Sequence, residues 1–285
     1  MEAIKEIKSL CEKYGIRPLK KLGQNFLINA NVARMIIDHA NLDANDLVVE
    51  VGPGLGTLTL ELAKRAKKVL AVEIDPNAVR AARAITAGDA NIEIIEKDIL
   101  KLSNAELTEI LSSPQYKVVA SLPYNLTSLL LRKFTEDEPR PSVCVFLVQK
   151  EVAQRVCAKP GEMSVLSVAV QFYGKPELIA VVKRGAFWPQ PEVDSAILKI
   201  GICGGRASGQ TEARPRDIDE KRFFQIVRIG FSARRKQLQN NLMSGLHLPR
   251  EKVIKILEKL GLSPQVRAQE LSVEEWVCLA EEIGK

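Results

Sequence analysis

The run Glu50-Val51-Gly52-Pro53-Gly54-Leu55-Gly56 follows an apolar segment and leads into a helical pattern. Glycines placed there let the chain turn sharply and let its backbone approach a ligand with no Cβ in the way. A dinucleotide loop of the G-x-G-x-x-G kind needs glycine at position 57, where this sequence has threonine, so the spacing is G-x-G-x-G instead. Preceded by the acidic Glu50, that form suits a ligand with no pyrophosphate to cradle. S-adenosylmethionine, whose amino-acid end can bond to loop amides, is such a ligand. Glu73 and Asp75 close the second apolar run, where a carboxylate suits two ribose hydroxyls. Asp98, after the third run, is placed to accept a hydrogen bond from an adenine amino group.

Ser121-Leu122-Pro123-Tyr124-Asn125 follows the fourth apolar run. It resembles the [Asn/Asp/Ser]-x-Pro-[Tyr/Phe] motif of methyltransferases that act on exocyclic amino groups. Such a nitrogen is a poor nucleophile because its lone pair is delocalised into the ring. Accepting both of its hydrogens, one on the Ser121 side chain and one on the Leu122 carbonyl, draws the nitrogen toward tetrahedral geometry. Pro123 fixes the direction of that carbonyl, and Tyr124 stacks on the base once it has been flipped out. With a sulfonium as leaving group, catalysis can rest on in-line positioning and electrostatics, and no strong general base is needed. His39 and His247, the only histidines, stand beside no plausible nucleophile.

These residues need a scaffold that brings strand ends together. Short β-branched runs at 47–51, 69–74, 92–98, 117–122 and 143–149 read as strands, and 57–66, 76–86, 105–112 and 126–136 read as helices between them. Apolar strands separated by helices predict a parallel sheet covered on both faces. The runs 178–183 and 195–200 have no helix between them and are expected as an antiparallel hairpin at one sheet edge. Punctuating residues at 201–214 mark a linker, after which the pattern is helical, with Val253, Ile256, Leu257 and Leu260 on one face. Ser272 and Glu275 form a capping box for a last helix carrying Trp276, Leu279 and Ile283. The expected division is therefore a sheet domain over 1–200, a linker over 201–214 and a helical domain over 215–285.

The 285 residues, 46% apolar and 27% charged, exclude disorder and fibrous repeats. No apolar stretch approaches the roughly 20 residues that cross a bilayer, and the start lacks a secretory pattern, so a cytoplasmic protein is expected. Five cysteines, no two closer than 13 positions, predict neither a disulfide framework nor a metal site. The net charge of +6 is compatible with a polyanionic partner.

With these pieces assembled, the sequence resembles the ribosomal RNA adenine dimethyltransferases, most closely the small-subunit KsgA/Dim type, along nearly its whole length. Lys20-Lys21-Leu22-Gly23-Gln24-Asn25-Phe26-Leu27 is similar to the family's opening signature, in which the Asn and Leu contact the cofactor. Glu50 to Gly56, Glu73, Asp98 and Ser121–Asn125 fall in the family's order. Further similar segments are 149–153, 166–168, Phe187-Trp188-Pro189-Gln190-Pro191-Glu192-Val193-Asp194-Ser195 and Arg234-Arg235-Lys236-Gln237-Leu238.

The resemblance implies a Rossmann-like α/β methyltransferase sheet with a small C-terminal α-helical domain, using S-adenosylmethionine. Asn25, Leu27, Glu50, Gly52, Gly54, Glu73, Asp98 and Ser121 would hold the cofactor; Ser121, Leu122, Pro123 and Tyr124 would carry the chemistry; Tyr124 and Phe187 would stack on the target base. The implied reaction dimethylates two adjacent adenines in the 3′-terminal hairpin loop of small-subunit ribosomal RNA, on a monomer that binds the immature subunit. Lys20, Lys21, Arg234, Arg235 and Lys236, with Gln237, Gln239, Asn240 and Asn241 beyond them, have the donors to contact RNA.

One departure is Ser121, where the family usually has asparagine. It predicts methylation that is retained at a lower rate. It also keeps open an assembly factor with weak or lost activity, beside the alternatives of a large-subunit methyltransferase and a nucleic-acid-binding transcription factor on the same fold.

Overall fold

The computed structural model describes residues 2–18, 25–203 and 218–284. The chain divides into two compact units: Met1–Ala153 with Lys175–Thr211, and Gln154–Gly174 with Glu212–Lys285. The first is an α/β layer structure. Its strands are β1 (Phe26–Leu27), β2 (Leu47–Val51), β3 (Lys68–Glu73), β4 (Ile92–Glu96), β5 (Lys117–Ser121), β6 (Val143–Gln149), β7 (Gly174–Val182), β8 (Phe187–Trp188) and β9 (Ser195–Ile202). Seven of them form one sheet in the order β4-β3-β2-β5-β6-β9-β7, and β1 pairs with β8 in a separate two-stranded ribbon.

Pairings β2–β3, β3–β4, β2–β5 and β5–β6 are all parallel, as the apolar runs predict, and β9 runs antiparallel to β6. Val48, Val49, Val69, Leu70, Val118, Val119, Cys144 and Val145 are fully buried, which is why these strands are apolar on both faces. Helices Thr57–Ala63, Pro76–Ile85, Asn104–Leu111 and Thr127–Glu136 fill the crossovers. The expected edge hairpin is present as β9 inserted between β6 and the edge strand β7. Because the central strands are parallel, their C-terminal ends share one edge of the sheet. The chain order reverses between β2 and β5, and that switch point opens a crevice for a ligand.

The second unit is helical and has its own core. Phe223, Leu238, Leu257, Leu271, Trp276 and Leu279 are fully buried there together with Val168 and Phe172. Phe172 stacks on Phe223 with ring centroids 4.5 Å apart. This corrects the expected single cut near residue 200: Gln154–Gly174, including helix Val165–Tyr173, joins the helical unit because its aromatic residues pack there. The last helix, Val273–Gly284, starts as expected, with Ser272 N donating to Glu275 and Glu275 N donating to Ser272 Oγ. Most of the expected linker lies outside the described residues.

Candidate active site

A cavity of about 320 Å³ opens at the C-terminal ends of β2, β3, β4 and β5. Asn25, Leu27, Glu50, Gly52, Gly54, Glu73 and Asp98 line one part of it, and Ser121, Leu122, Pro123, Tyr124 and Phe187 line another. The twelve residues expected to hold the cofactor, carry the chemistry or stack on the base thus meet at one crevice. Asp75 is the exception among the candidate carboxylates. It caps helix Pro76–Ile85 by accepting from Asn77 N at 2.9 Å, and it does not line the cavity.

The glycine loop owes its path to backbone angles that side chains resist. Gly52, Gly54 and Gly56 have φ of 69°, 56° and 76°. At Gly54 a Cβ would also meet the Phe26 ring at 3.0 Å, so a side chain at position 54 would press on the N-terminal segment that packs against the loop. Phe26 stands in the opening signature but had no role assigned from sequence; its contact spans positions 26 and 54, and nothing local reveals it.

Glu50 sits at the base of this loop and is 1% exposed. Its Oε2 and the neighbouring Thr59 Oγ1 are buried without a geometrically sound hydrogen bond among the described residues. Burial pushes the Glu50 carboxyl up to about 8; the Thr59 hydroxyl draws it down and the Glu73 charge pushes it further up. Glu73 is better served. Its Oε1 accepts from Ile74 N at 2.8 Å and Asp75 N at 3.0 Å, and its Oε2 accepts from Gly54 N at 3.3 Å. Burial still raises its pKa above the usual carboxylate value, against those backbone donors. Asp98 Oδ1 accepts from Leu100 N at 3.0 Å, which fixes the loop after β4. Ile74 and Leu100, exposed apolar side chains beside two of these carboxylates, also border the cavity.

The opposite wall is a turn pinned at several points. Leu122 N donates to Leu147 O at 3.0 Å, and Pro123 O accepts from Leu126 N at 3.1 Å and Thr127 Oγ1 at 3.1 Å. Tyr124 is partly buried, and its phenol oxygen lies 2.7 Å from Ser195 Oγ, a hydrogen bond in which either group can donate. Burial raises the Tyr124 pKa and the Ser195 bond draws it back, so the ring carries a neutral hydroxyl. Phe187 is 4% exposed and belongs to the apolar cluster around Ile36, Val119 and Ile197 while also lining the cavity. The sequence could not separate core packing from base stacking at this position, and the side chain borders both environments. Such an arrangement can hold a compound with hydroxyls and a positive charge in one part and a flat base with an amino group in the other.

The family model for ribosomal RNA adenine dimethylase matches residues 17–285. The chain belongs to that family. It is 44% identical over 274 residues to ribosomal RNA small subunit methyltransferase A of Dehalococcoides mccartyi, covering 96% of this chain and 91% of that one. It is 40% identical over 287 residues to the protein of the same description from Bacillus mycoides, covering 96% and 94% of the two chains. Among solved structures, a dimethyladenosine transferase from Plasmodium falciparum superposes with a TM-score of 0.75 at 26% identity, covering 91% of this chain and 97% of that one. The 23S rRNA methyltransferase ErmE superposes with a TM-score of 0.72 at 27% identity, covering 92% and 100%. The α/β methyltransferase fold with a helical C-terminal part, expected from the sequence, is thereby established.

The expected RNA-facing residues fare unevenly. Lys20 and Lys21 lie outside the described residues. Arg234, Arg235 and Lys236 are exposed, in a turn that precedes helix Leu238–Leu246 rather than in its first residues. Gln239 and Asn241 are buried, and Asn241 Nδ2 donates to Gly230 O at 2.6 Å and Ala233 O at 3.2 Å. Asn241 therefore holds the turn carrying the basic residues and is no RNA donor. No helix among the described residues is long and apolar enough to cross a membrane.

Proposed function

We propose that this chain transfers methyl groups from S-adenosylmethionine to the exocyclic amino nitrogens of two adjacent adenines in the 3′-terminal hairpin loop of small-subunit ribosomal RNA. The convergence of Glu50, Glu73 and Asp98 with Ser121–Tyr124 on one cavity carries this reading. Its two substrates, the immature small subunit and the methyl donor, meet on a monomer in the cytoplasm.

The donor's chemistry fits the residues present. Glu50 Oε2 is a buried acceptor without a sound hydrogen bond among the described residues, and a cationic ligand is what such an atom lacks. Gly54 leaves a cradle beside Phe26 where any side chain would intrude. When bound, S-adenosylmethionine supplies an electrophilic methyl carbon on a sulfonium, a good leaving group. Glu73 would hold the ribose hydroxyls and Asp98 the adenine amino group of the donor. Asn25 and Leu27 would complete that side.

Toward the other substrate, Ser121 Oγ and the Leu122 carbonyl accept the two hydrogens of the target amino group and aim its lone pair. Tyr124 stacks on the extruded base, with Phe187 forming the wall beyond. Positioning and preorganised acceptors supply the catalysis, which is why the absence of a histidine from this crevice is no obstacle. The description shared by relatives 40–44% identical over 96% of this chain, small subunit methyltransferase A, supports the small subunit as the target.

The test is incubation of unmethylated small subunits with isotope-labelled donor, followed by mass measurement of the 3′-terminal hairpin fragment. A gain of four labelled methyl groups is expected. Labelling confined to large-subunit RNA would overturn the choice of target, and binding of the subunit with no mass change would leave the assembly-factor reading in its place.

A further inference from the structure

Tyr124 and Phe187 are 63 residues apart in sequence, yet the side chains of one dipeptide, Asp194-Ser195, bond to Tyr124 itself and to the turn that precedes Phe187. Successive residues of an extended chain point to opposite sides, and these two side chains do different work. Ser195, the first residue of β9, is fully buried and bonds the Tyr124 hydroxyl at 2.7 Å. Asp194 Oδ1 accepts from Arg184 N at 3.0 Å and its Oδ2 accepts from Lys183 Nζ at 3.0 Å. Arg184 opens the turn Arg184–Ala186 that delivers Phe187. Those bonds, with Lys183 adjacent, hold the Asp194 carboxyl below the usual carboxylate range.

The dipeptide itself is anchored to the strand next to the Tyr124 turn. Ser195 pairs with Gln149 at the end of β6, and Lys150 N donates to Asp194 O at 3.0 Å, extending the ladder by one bond. Leu147 of the same strand receives Leu122 N. β6 is thus the common reference for the Tyr124 turn and for Asp194-Ser195.

We infer that Asp194 and Ser195 are positioning residues that set the spacing and tilt of the two aromatic walls around the target base, Ser195 through the Tyr124 hydroxyl and Asp194 through the turn before Phe187. This rests on the proposed role of Tyr124 and Phe187 as walls of the base pocket. A phenol whose oxygen is held by a hydroxyl on a sheet strand cannot swing about its Cα–Cβ bond without losing that bond, and a ring that stays put is offered to the base at no further conformational cost.

A double-mutant cycle on single-turnover methylation tests it. Ser195→Ala and Tyr124→Phe should each lower the methylation rate constant about tenfold, as expected for small misplacements of a reacting group. The double variant should be no slower than the slower single variant. Donor affinity should stay within about twofold of wild type in all three. The second arm uses Asp194→Ala, expected to slow transfer, and Asp194→Asn, which keeps an acceptor for Arg184 N and should restore most of the rate. In the Phe187→Ala background Asp194→Ala should have no further effect. As a readout apart from activity, hairpin RNA with 2-aminopurine at the target position should fluoresce on binding wild-type enzyme, and Ser195→Ala should change that emission while leaving RNA affinity intact.

Multiplicative losses in the Ser195 and Tyr124 double variant overturn the inference, as does an unchanged rate in Ser195→Ala. Should Ser195→Ala fail to fold, Tyr124→Phe, which keeps the ring, still decides: a wild-type rate there removes the hydroxyl from any positioning role. Wild-type methylation by Tyr124→Ala would instead sink the base-pocket reading itself.

Discussion

The two parts of the cavity are made of opposite materials. Around the glycine loop stand three carboxylates, one of them wholly buried with an oxygen that makes no sound hydrogen bond among the described residues. Around Tyr124 stand a hydroxyl, a carbonyl, a proline and two aromatic rings, none of them charged. The difference follows from what each part must do. A cation with sugar hydroxyls is held by anionic acceptors, and a buried anion lacking its partner is unfavourable until the ligand arrives. An aromatic amine needs acceptors that draw on its hydrogens, which a hydroxyl and a carbonyl supply. On the proposed function, affinity for the donor rests on the first part and reactivity on the second.

That separation can be broken experimentally. Tyr124→Ala should show the largest effect, a loss of about 100-fold in the methylation rate constant with donor affinity unchanged, measured by single-turnover labelling and calorimetry. An equal loss of donor affinity would mean that the two parts act as one. Glu50→Gln should do the converse, weakening donor binding about tenfold, the scale of one lost charge-assisted hydrogen bond, with a smaller effect on transfer at saturating donor.

Glu50 also makes a pH prediction of definite sign. Its folded-state pKa of about 8 lies above the ordinary 4.5, so the free protein binds more protons than the unfolded chain between those values. Its contribution to stability is full below the unfolded value and is lost as pH rises through the folded one. Tm of the free protein should therefore fall across that window, and Glu50→Gln should flatten the fall; Glu73, raised in the same direction, contributes the residue that persists. Binding of a cationic donor near pH 7 should release protons from wild type and fewer from Glu50→Gln, seen as a dependence of binding heat on buffer ionisation enthalpy.

A smaller effect is expected outside the cavity. Arg234→Ala with Arg235→Ala should weaken RNA binding several-fold and lower the salt slope by about 1.5, the value for two phosphate contacts on single strands. Donor affinity should not change. An unaltered slope would remove these residues from the RNA surface. The smallest effect belongs to Ser121→Asn, expected to raise the transfer rate by no more than about threefold. A serine enzyme inactive beside an active asparagine variant would show that a hydroxyl cannot substitute for the amide.

How much of this was legible in the sequence depended on whether cause and consequence lie close together along the chain. The parallel strands were readable because each apolar run is bounded by turn residues, and the α/β pattern then obliges Glu50, Glu73, Asp98 and Ser121 to meet, since parallel strands end on one side. Ser195 was visible only as part of a similar segment, because its partner Tyr124 is 71 positions away. Gln239 and Asn241 were misjudged for a physical reason: a buried amide, bonded to the Gln237 side chain at position 239 and to backbone carbonyls at position 241, has the same composition as an exposed one awaiting a phosphate. The boundary near residue 200 failed similarly, since helix Val165–Tyr173 buries residues on nearly every face and its sequence does not say against which core.

Phe26 and Leu27 are neighbours in the chain that serve different masters. The ring of Phe26 rests on Gly54, while Leu27 is paired across the ribbon with Phe187. The glycine loop and the far wall are thus joined through a single peptide bond. If the proposed roles hold, the donor's cradle and the wall of the base pocket are thereby built from two adjacent residues, so that neither can be remodelled by mutation without touching the other.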